Sequence, residues 1–540
     1  MAQRWRALGL AALGLAAGAC RESARAVDAG QGADTRPLAC MNPTVCDGTS
    51  VRACRAGQAA EVLQECAPAS ACSLGRCTSA ACAEVEENRP SLLGCAFYTF
   101  DLDNVASDDP LPTSVLVTNA GQVAAMVTVE KREAGAWTEM RSLTVAPMHT
   151  ARLALPESHV EGGGLGASAA FRLTSDLPVS AAHFQSDDSA PGGSTSTGGT
   201  LLLPAHVLGR RYRALTYAQT ATPRLEQTPG ARGGAGQLVI VGSVDGTKVT
   251  ISPSPTAALG PGGGAPPPGP DGKVHLVLDD GDLFTLYSSQ DGADLSGTEV
   301  FADEPVAVFS GNISTTYGVT ATGIGSPDMA HEQLLPVAAW GTSYVAAQLT
   351  PQPGVCDPLF SPGSSIWTIV ADAPETRVRF QAATGTAPAP DRTIGAGEAF
   401  HFTAPGDFVV TASRPIQIMQ GMDCEPSLSS AVPTAEWLTD YRFGVLPGFD
   451  TMMAIVRLAG QPVYVDGARI EDSLFEPVGG GFDVARIPLG VCPSAEGVCT
   501  HHLEGRFGFT MRGMDVLASY ALTAPTWPCP AAATVTGCIN

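Results

Sequence analysis

Three stretches of this chain share one spacing: "LLPAHVLGRRY", "LLPVAAWGTSY" and "AVPTAEWLTDY". In each, a proline (Pro204, Pro336, Pro433) stands eight residues before a tyrosine (Tyr212, Tyr344, Tyr441). A large apolar residue lies four after each proline: Leu208, Trp340 and Trp437. A second signature alternates with the first. "SDLPVSAAHF", "ADEPVAVFSG" and "ASRPIQIMQG" place a polar residue and a proline (Pro178, Pro305, Pro415) ahead of an alternating apolar run. Proline lacks an N–H and is tolerated at the start or edge of a strand, so each of these is expected to open one. Two signatures in fixed order restrict the chain to an array of like units.

Between the signatures run short segments such as "SVLVTN", "QLVIVGS", "TKVTISP", "DLFTLYS" and "TRVRFQA". Their period of two is that of half-buried strands. No long segment has helical periodicity, so the body is all-β. Four units are expected, at 93–190, 200–313, 333–424 and 431–523. The last closes on "FGFTMRGMDVLASYAL", a version of the end strand without proline. About six strands per unit suit tandem immunoglobulin-like β-sandwich units. The alternative is a β-propeller of four-stranded blades. "SVDGTKVTI" carries an Asp245-Gly246 turn signal, as in a hairpin. The Pro/Gly-rich run 256–272 and the run 187–199 are expected to be inserts, the former mobile.

The chain has 540 residues, 44% hydrophobic and 16% charged, enough apolar material for real cores. Its net charge of −22 repels phosphate backbones, which argues against nucleic acid as a partner. The N-terminus reads "MAQRWRALGLAALGLAAGAC": two arginines, an apolar run too short to span a bilayer, small residues and a cysteine. It resembles a bacterial lipoprotein signal, with 1–19 removed and Cys20 as the lipid anchor, the chain's sole attachment to a membrane. Residues 20–39 are small and polar, as in a flexible tether.

Of 15 cysteines, removing Cys20 leaves an even number, as expected in an oxidising compartment. Eight lie between Cys40 and Cys95, Cys82 among them, and mark 40–92 as a disulfide-stapled module. Their connectivity stays open, since eight cysteines allow about 105 pairings. The other six stand as neighbours: Cys356 with Cys424, Cys492 with Cys499, and Cys529 with Cys538 in a disulfide-closed tail, 524–540.

The search for chemistry returns no catalytic residue and no cofactor motif: no G-x-S-x-G, P-loop or dinucleotide fingerprint occurs. "HEQLL" at His331 lacks the second histidine of a zinc protease helix; Asp328, His331 and Glu332 could still meet a metal in a loop, against the plainer reading of a solvated loop leading into the third unit. Asp101, Asp103 and Asp108 are candidates for calcium, against the plainer reading of an acidic turn. His501 and His502 read as a solvent-exposed loop pair.

"GCAFYTFDLDN", "SDLPVSAAHFQS", "LLPAHVLGRRYRALTY", "DLSGTEVFADEPVAVFSG" and "HEQLLPVAAWGTSY" resemble the IgGFc-binding protein N-terminal domain family. The resemblance covers about residues 94–523 and carries no residue-level binding site. It implies an extracellular binding or adhesion region without established catalysis, taking a protein or glycan ligand. With the leader, the expectation is a lipoprotein of a Gram-negative cell envelope, at the outer membrane or cell surface. Antibody is not the expected ligand of such a lipoprotein. An exported polysaccharide hydrolase and a structural envelope protein are the competing readings.

Overall fold

The computed structural model describes residues 44–523, apart from 103–111, 190–195, 220–233, 316–327, 350–364 and gaps of three residues or fewer. Among the described residues the chain is all-β but for one helix, Ala80–Asn88, and a few single 3-10 turns. At the N-terminal end, Thr44–Asp47, Ser50–Arg55 and Gln58–Glu65 form a three-stranded sheet beside the hairpin Ser70–Ser73/Arg76–Ser79. Only a few small side chains are buried there, Val51, Ala53 and Cys72 among them. Covalent staples take the place of a core: Cys46–Cys72 and Cys66–Cys77. Cys82–Cys95 ties the helix to Gly94–Thr99, the first strand of the body.

Each of the first three body units is built on one long strand that belongs to two layers. These strands are Phe171–Gln185, Glu299–Thr315 and Phe408–Met422. In the second unit, residues 299–302 pair with Thr247–Ser252 and 306–312 pair with Gly236–Gly242. In the third, 409–412 pair with Thr376–Gln381 and 416–421 with Ser365–Ala371. The strand therefore bends from an outer sheet into an inner one, and each unit is a curled two-layer sandwich with its core between. The proline sits at the bend: Pro178, Pro305 and Pro415 lie mid-strand, not at strand starts as the sequence suggests. The physical reason survives the correction. The bend is where neighbouring strands hand over, so a missing N–H forfeits no ladder bond. Two residues earlier, the polar side chain of Asp176, Asp303 or Ser413 accepts the backbone N–H of Met126, Lys248 or Arg377.

The Asp245-Gly246 turn likewise does not close a hairpin. Its flanking strands both pair with Glu299–Thr315, one on each side of the bend, so the turn crosses between layers. Gly246 takes φ +74°, and Glu375 holds the matching left-handed position in the third unit at +53°. The 256–272 run is not a free loop. Ser289 and Asp294 donate backbone N–H bonds to Ala258 and Thr256, and Gly264 abuts Gly163 of the first unit. In the fourth unit the long strand is cut in two at Gly505-Arg506. Cys499–Glu504 lies in the outer sheet and Phe507–Met514 in the inner.

The Pro…Tyr signature builds the start of each later unit. Each proline caps one 3-10 turn, Ala205–Val207, Val337–Ala339 or Thr434–Glu436. The residue capping its other end is the buried Leu208, Trp340 or Trp437. The tyrosine then enters the core with its hydroxyl fully engaged. Tyr212 accepts the N–H of Gly209 at 2.7 Å and donates to the carbonyl of Val306 at 2.8 Å. Tyr344 does the same between Gly341 and Ile416, and Tyr441 between Leu438 and Phe507. Each tyrosine thus staples the start of its unit to the bend of the long strand.

The prolines join the units. Pro204 packs on Gly94, Pro336 on Gly209 and Pro433 on Gly341, where a Cβ would collide with the ring. The matching position of the fourth unit is Leu438.

Each long strand is followed by a short one on its inner edge: Gly198–Leu202, Asp328–Gln333, Ser427–Ser430 and Ser519–Thr523. These four pack against one another in a closed ring, first to second, second to third, third to fourth and fourth to first. Thr150 donates its N–H to Thr500 Oγ1 at 2.8 Å where the fourth unit meets the first.

Candidate functional site

The ring of short strands brings together a cluster of buried polar groups. Asp328, His331 and Glu332 lie there on a fully buried strand, not in a solvated loop. The four strands do not ladder with each other, so side chains satisfy the backbone between them. Thr200 Oγ1 accepts the N–H of Gln333 at 2.7 Å, Gln333 Oε1 accepts that of Leu203 at 2.7 Å, and Asp328 Oδ2 accepts that of Ser519 at 2.8 Å. Ser427 bonds Ser519, and Ser429 bonds Thr523.

Burial decides the ionisation of this centre. It pushes the Glu332 carboxyl up to about 8, against only partial relief from the Ser430 N–H and the Thr200 and Thr523 hydroxyls. It brings His331 down to about 4 and holds His183 well below the imidazole range. The two imidazoles meet edge-on at 5.2 Å, and His183 Nδ1 contacts Thr99 Oγ1 at 2.6 Å. Glu332 lines a cavity of about 30 Å³, and this buried centre holds the ring strands together.

An open concavity lies elsewhere. A groove of about 430 Å³ on the outer sheet of the third unit is lined by Glu375, Arg377, Thr393, Ser413 and Arg414. Strand pairing positions it: Arg377 stands opposite Thr393, and Ser413 Oγ takes the Arg377 N–H at 2.9 Å. Arg414 is anchored by a 2.8 Å bond to the Pro374 carbonyl. Among the described residues Arg377 makes no ion pair. Two guanidiniums against one carboxylate give this spot a positive excess on a chain of net charge −22. Arginine's planar fork favours carboxylate, sulfate or phosphate groups.

No sequence motif pointed to this groove, yet a signal was present. The three bend segments read "SDLP", "ADEP" and "ASRP". Asp303-Glu304 in the second unit becomes Ser413-Arg414 in the third, a local reversal of charge. In the second unit Glu304 is instead paired with Arg210 at 2.9 Å.

The residues singled out by sequence fall in several places. Asp101 is buried and accepts Thr113 Oγ1 at 2.8 Å and the Ser158 N–H at 3.3 Å. Asp103 and Asp108 lie outside the described residues, as do Cys20, Cys356, Cys424, Cys529 and Cys538. Cys492 and Cys499 are disulfide-bonded beside the outer sheet of the fourth unit. His501 and His502 are in a strand, not a loop, and face Asp466 and Asp440 at 2.8 and 3.0 Å. The repeat tyrosines are buried and present no surface for ligand.

The family model described as IgGFc binding protein matches residues 198–513, from the first ring strand into Phe507–Met514 of the fourth unit's inner sheet. The human IgGFc-binding protein is 33% identical over 153 residues, which is 28% of this chain and 2% of that protein. The chain thus spans a small fraction of that relative's length. Among solved structures, the major pilin from Streptococcus pyogenes aligns over 54% of this chain and all of its own, at 10% identity and a TM-score of 0.14. A tetra-tandem repeat from the extending region of a large adhesion protein aligns over 80% of this chain and 99% of its own, at 13% identity and a TM-score of 0.08. Neither likeness carries any argument about this chain.

Proposed function

The chain belongs to the IgGFc-binding protein family, and from that premise we propose that it is an exported binding protein whose ring of β units carries an extracellular ligand site. The observation that supports a specific surface is the Arg377/Arg414 groove, a cationic spot on an acidic molecule and within the family-matched region. An acidic protein or an anionic glycan fits it, through carboxylate or sulfate groups held by the two guanidiniums. The work proposed is binding rather than turnover, in keeping with a family described as a binding protein. Cys20 would tether the protein by lipid to the outer envelope of a Gram-negative bacterium, with 20–39 as spacer and the disulfide module next to it.

Two experiments test this reading. Full-length protein is passed over immobilised sulfated polysaccharide, mucin and IgG Fc, beside the double variant Arg377→Glu/Arg414→Glu. Saturable binding to one probe, reduced at least about tenfold by charge reversal, is expected, since charge-assisted contacts to a bound anion contribute roughly 1.5–3 kcal/mol each. Binding indifferent to the reversal would remove the groove from the proposal. Protease shaving of intact cells, with Cys20→Ala as comparison, tests the tether. Cleavage of the native body on whole cells and release of the variant are expected. Protection until the outer membrane is opened would place the protein in the periplasm.

A further inference from the structure

The histidine pair of the fourth unit has no part in the groove. Its surroundings form the one group of three or more metal-ligating side chains found among the described residues. Asp440–Val445 runs antiparallel to Cys499–Glu504, with Asp440 opposite Glu504 and Arg442 opposite His502. Alternation therefore puts Asp440, His502 and Glu504 on one face. One ligand atom from each lies within 4.8 Å of the other two. His502 Nε2 stands 3.0 Å from Asp440 Oδ2.

We propose that Asp440, His502 and Glu504 form a surface site for a divalent transition-metal ion of the zinc class. One imidazole and two carboxylates, with solvent in the fourth position, suit such an ion better than calcium, which takes oxygen alone. With metal bonds of about 2.0–2.2 Å, neighbouring tetrahedral ligand atoms stand roughly 3.3 Å apart. The 3.0 Å edge is near that value, and modest side-chain rotations close the others, because Asp440 and Glu504 are exposed. Arg442 flanks the site on the same face, and the two carboxylates outweigh its charge.

The histidine's backbone is already fixed. The hairpin turn at Asp466, in the left-handed region at φ +50°, donates its N–H to the His502 carbonyl at 2.7 Å. Its Oδ1 accepts the His502 N–H at 2.8 Å. Such outer contacts set the orientation of a ligand and the affinity of a site. The ion would clip the two outer strands together beside Tyr441 and near Thr500, which meets the first unit at Thr150. It would therefore stiffen the closure of the ring.

Zinc titration of the oxidised full chain by calorimetry tests the site, with thermal unfolding as second readout. One saturable equivalent and a rise in melting temperature are expected. His502→Ala and Asp440→Asn should each weaken binding at least about tenfold, as even outer-contact changes at metal sites cost about 10–100-fold. His275→Ala should leave it unchanged, since His275 contacts Asp271 and Thr250 in the second unit and no residue of the site. Because these side chains are on the surface, circular dichroism should find every variant folded. Absence of saturable zinc binding, retention of full affinity in His502→Ala, or preference for calcium over zinc would each overturn the proposal.

Discussion

Glu332 offers the sharpest test of the ring of strands, because its effect on stability has a sign and a pH window. Its carboxyl is raised from 4.5 to about 8 in the fold. Between those values the folded chain keeps a proton that the unfolded chain has lost. The folded state binds more protons, so stability falls as pH rises through this window. The slope is about 1.4 kcal/mol per pH unit, which comes to roughly 3 kcal/mol of lost stability at pH 7. Below 4.5 both states are protonated and the effect vanishes. Glu332→Gln keeps the shape and an oxygen for the Thr200 hydroxyl, which lies 3.2 Å from Glu332 Oε2, and removes the ionisation. Urea unfolding at pH 4.5, 6 and 7.5, followed by tryptophan fluorescence, should find the variant near parity with the parent at pH 4.5. It should gain steadily and lead by roughly 3 kcal/mol near neutrality. His331 and His183 act in the opposite sense, since their lowered values make stability rise with pH, but they titrate in both proteins and cancel from the difference. A difference independent of pH would show that the carboxyl is hydrated in the fold and would refute the argument.

Two further outcomes follow from the joints between units. Tyr344→Phe leaves the Gly341 N–H and the Ile416 carbonyl without their shared partner, and should lower stability by about 1–3 kcal/mol in denaturant unfolding. Gly341→Ala places a Cβ 2.5 Å from the Pro433 Cβ, backbone-attached atoms that cannot swing away. It should cost about 1–3 kcal/mol by overpacking and show as a lower unfolding midpoint, whereas Gly406→Ala, with open space around it, should not share that steric cost.

Much of the local structure was legible because it depends on neighbours in sequence. Alternation of apolar residues gave the strands, and the recurrent proline and tyrosine spacings gave the repeat. Positions were read less well where one residue serves two layers. Pro305 looked like a strand start because a proline usually is one, and only the handover from Thr247–Ser252 to Gly236–Gly242 explains it mid-strand. Asp245-Gly246 has the chemistry of a hairpin turn, but a turn does not reveal whether its strands pair with each other or with a third. "HEQLL" looked solvated because it holds His331 and Glu332, and polar residues are rarely buried. Here ring closure surrounds them, and the hydroxyls of Thr200 and Thr523 share in satisfying Glu332.

The same division holds for sites. Ser413 and Arg414 stand beside each other in sequence, but Arg377 and Thr393 join them through strand register, which no local pattern encodes. Asp440 meets His502 and Glu504 across more than sixty residues for the same reason. By itself the sequence determined an all-β, acidic, disulfide-bearing chain of repeated units, since composition and period act over a few residues. The tertiary structure alone decided that four short strands close on a buried polar centre, and which charged side chains share a face, because both depend on burial and on pairings between distant segments.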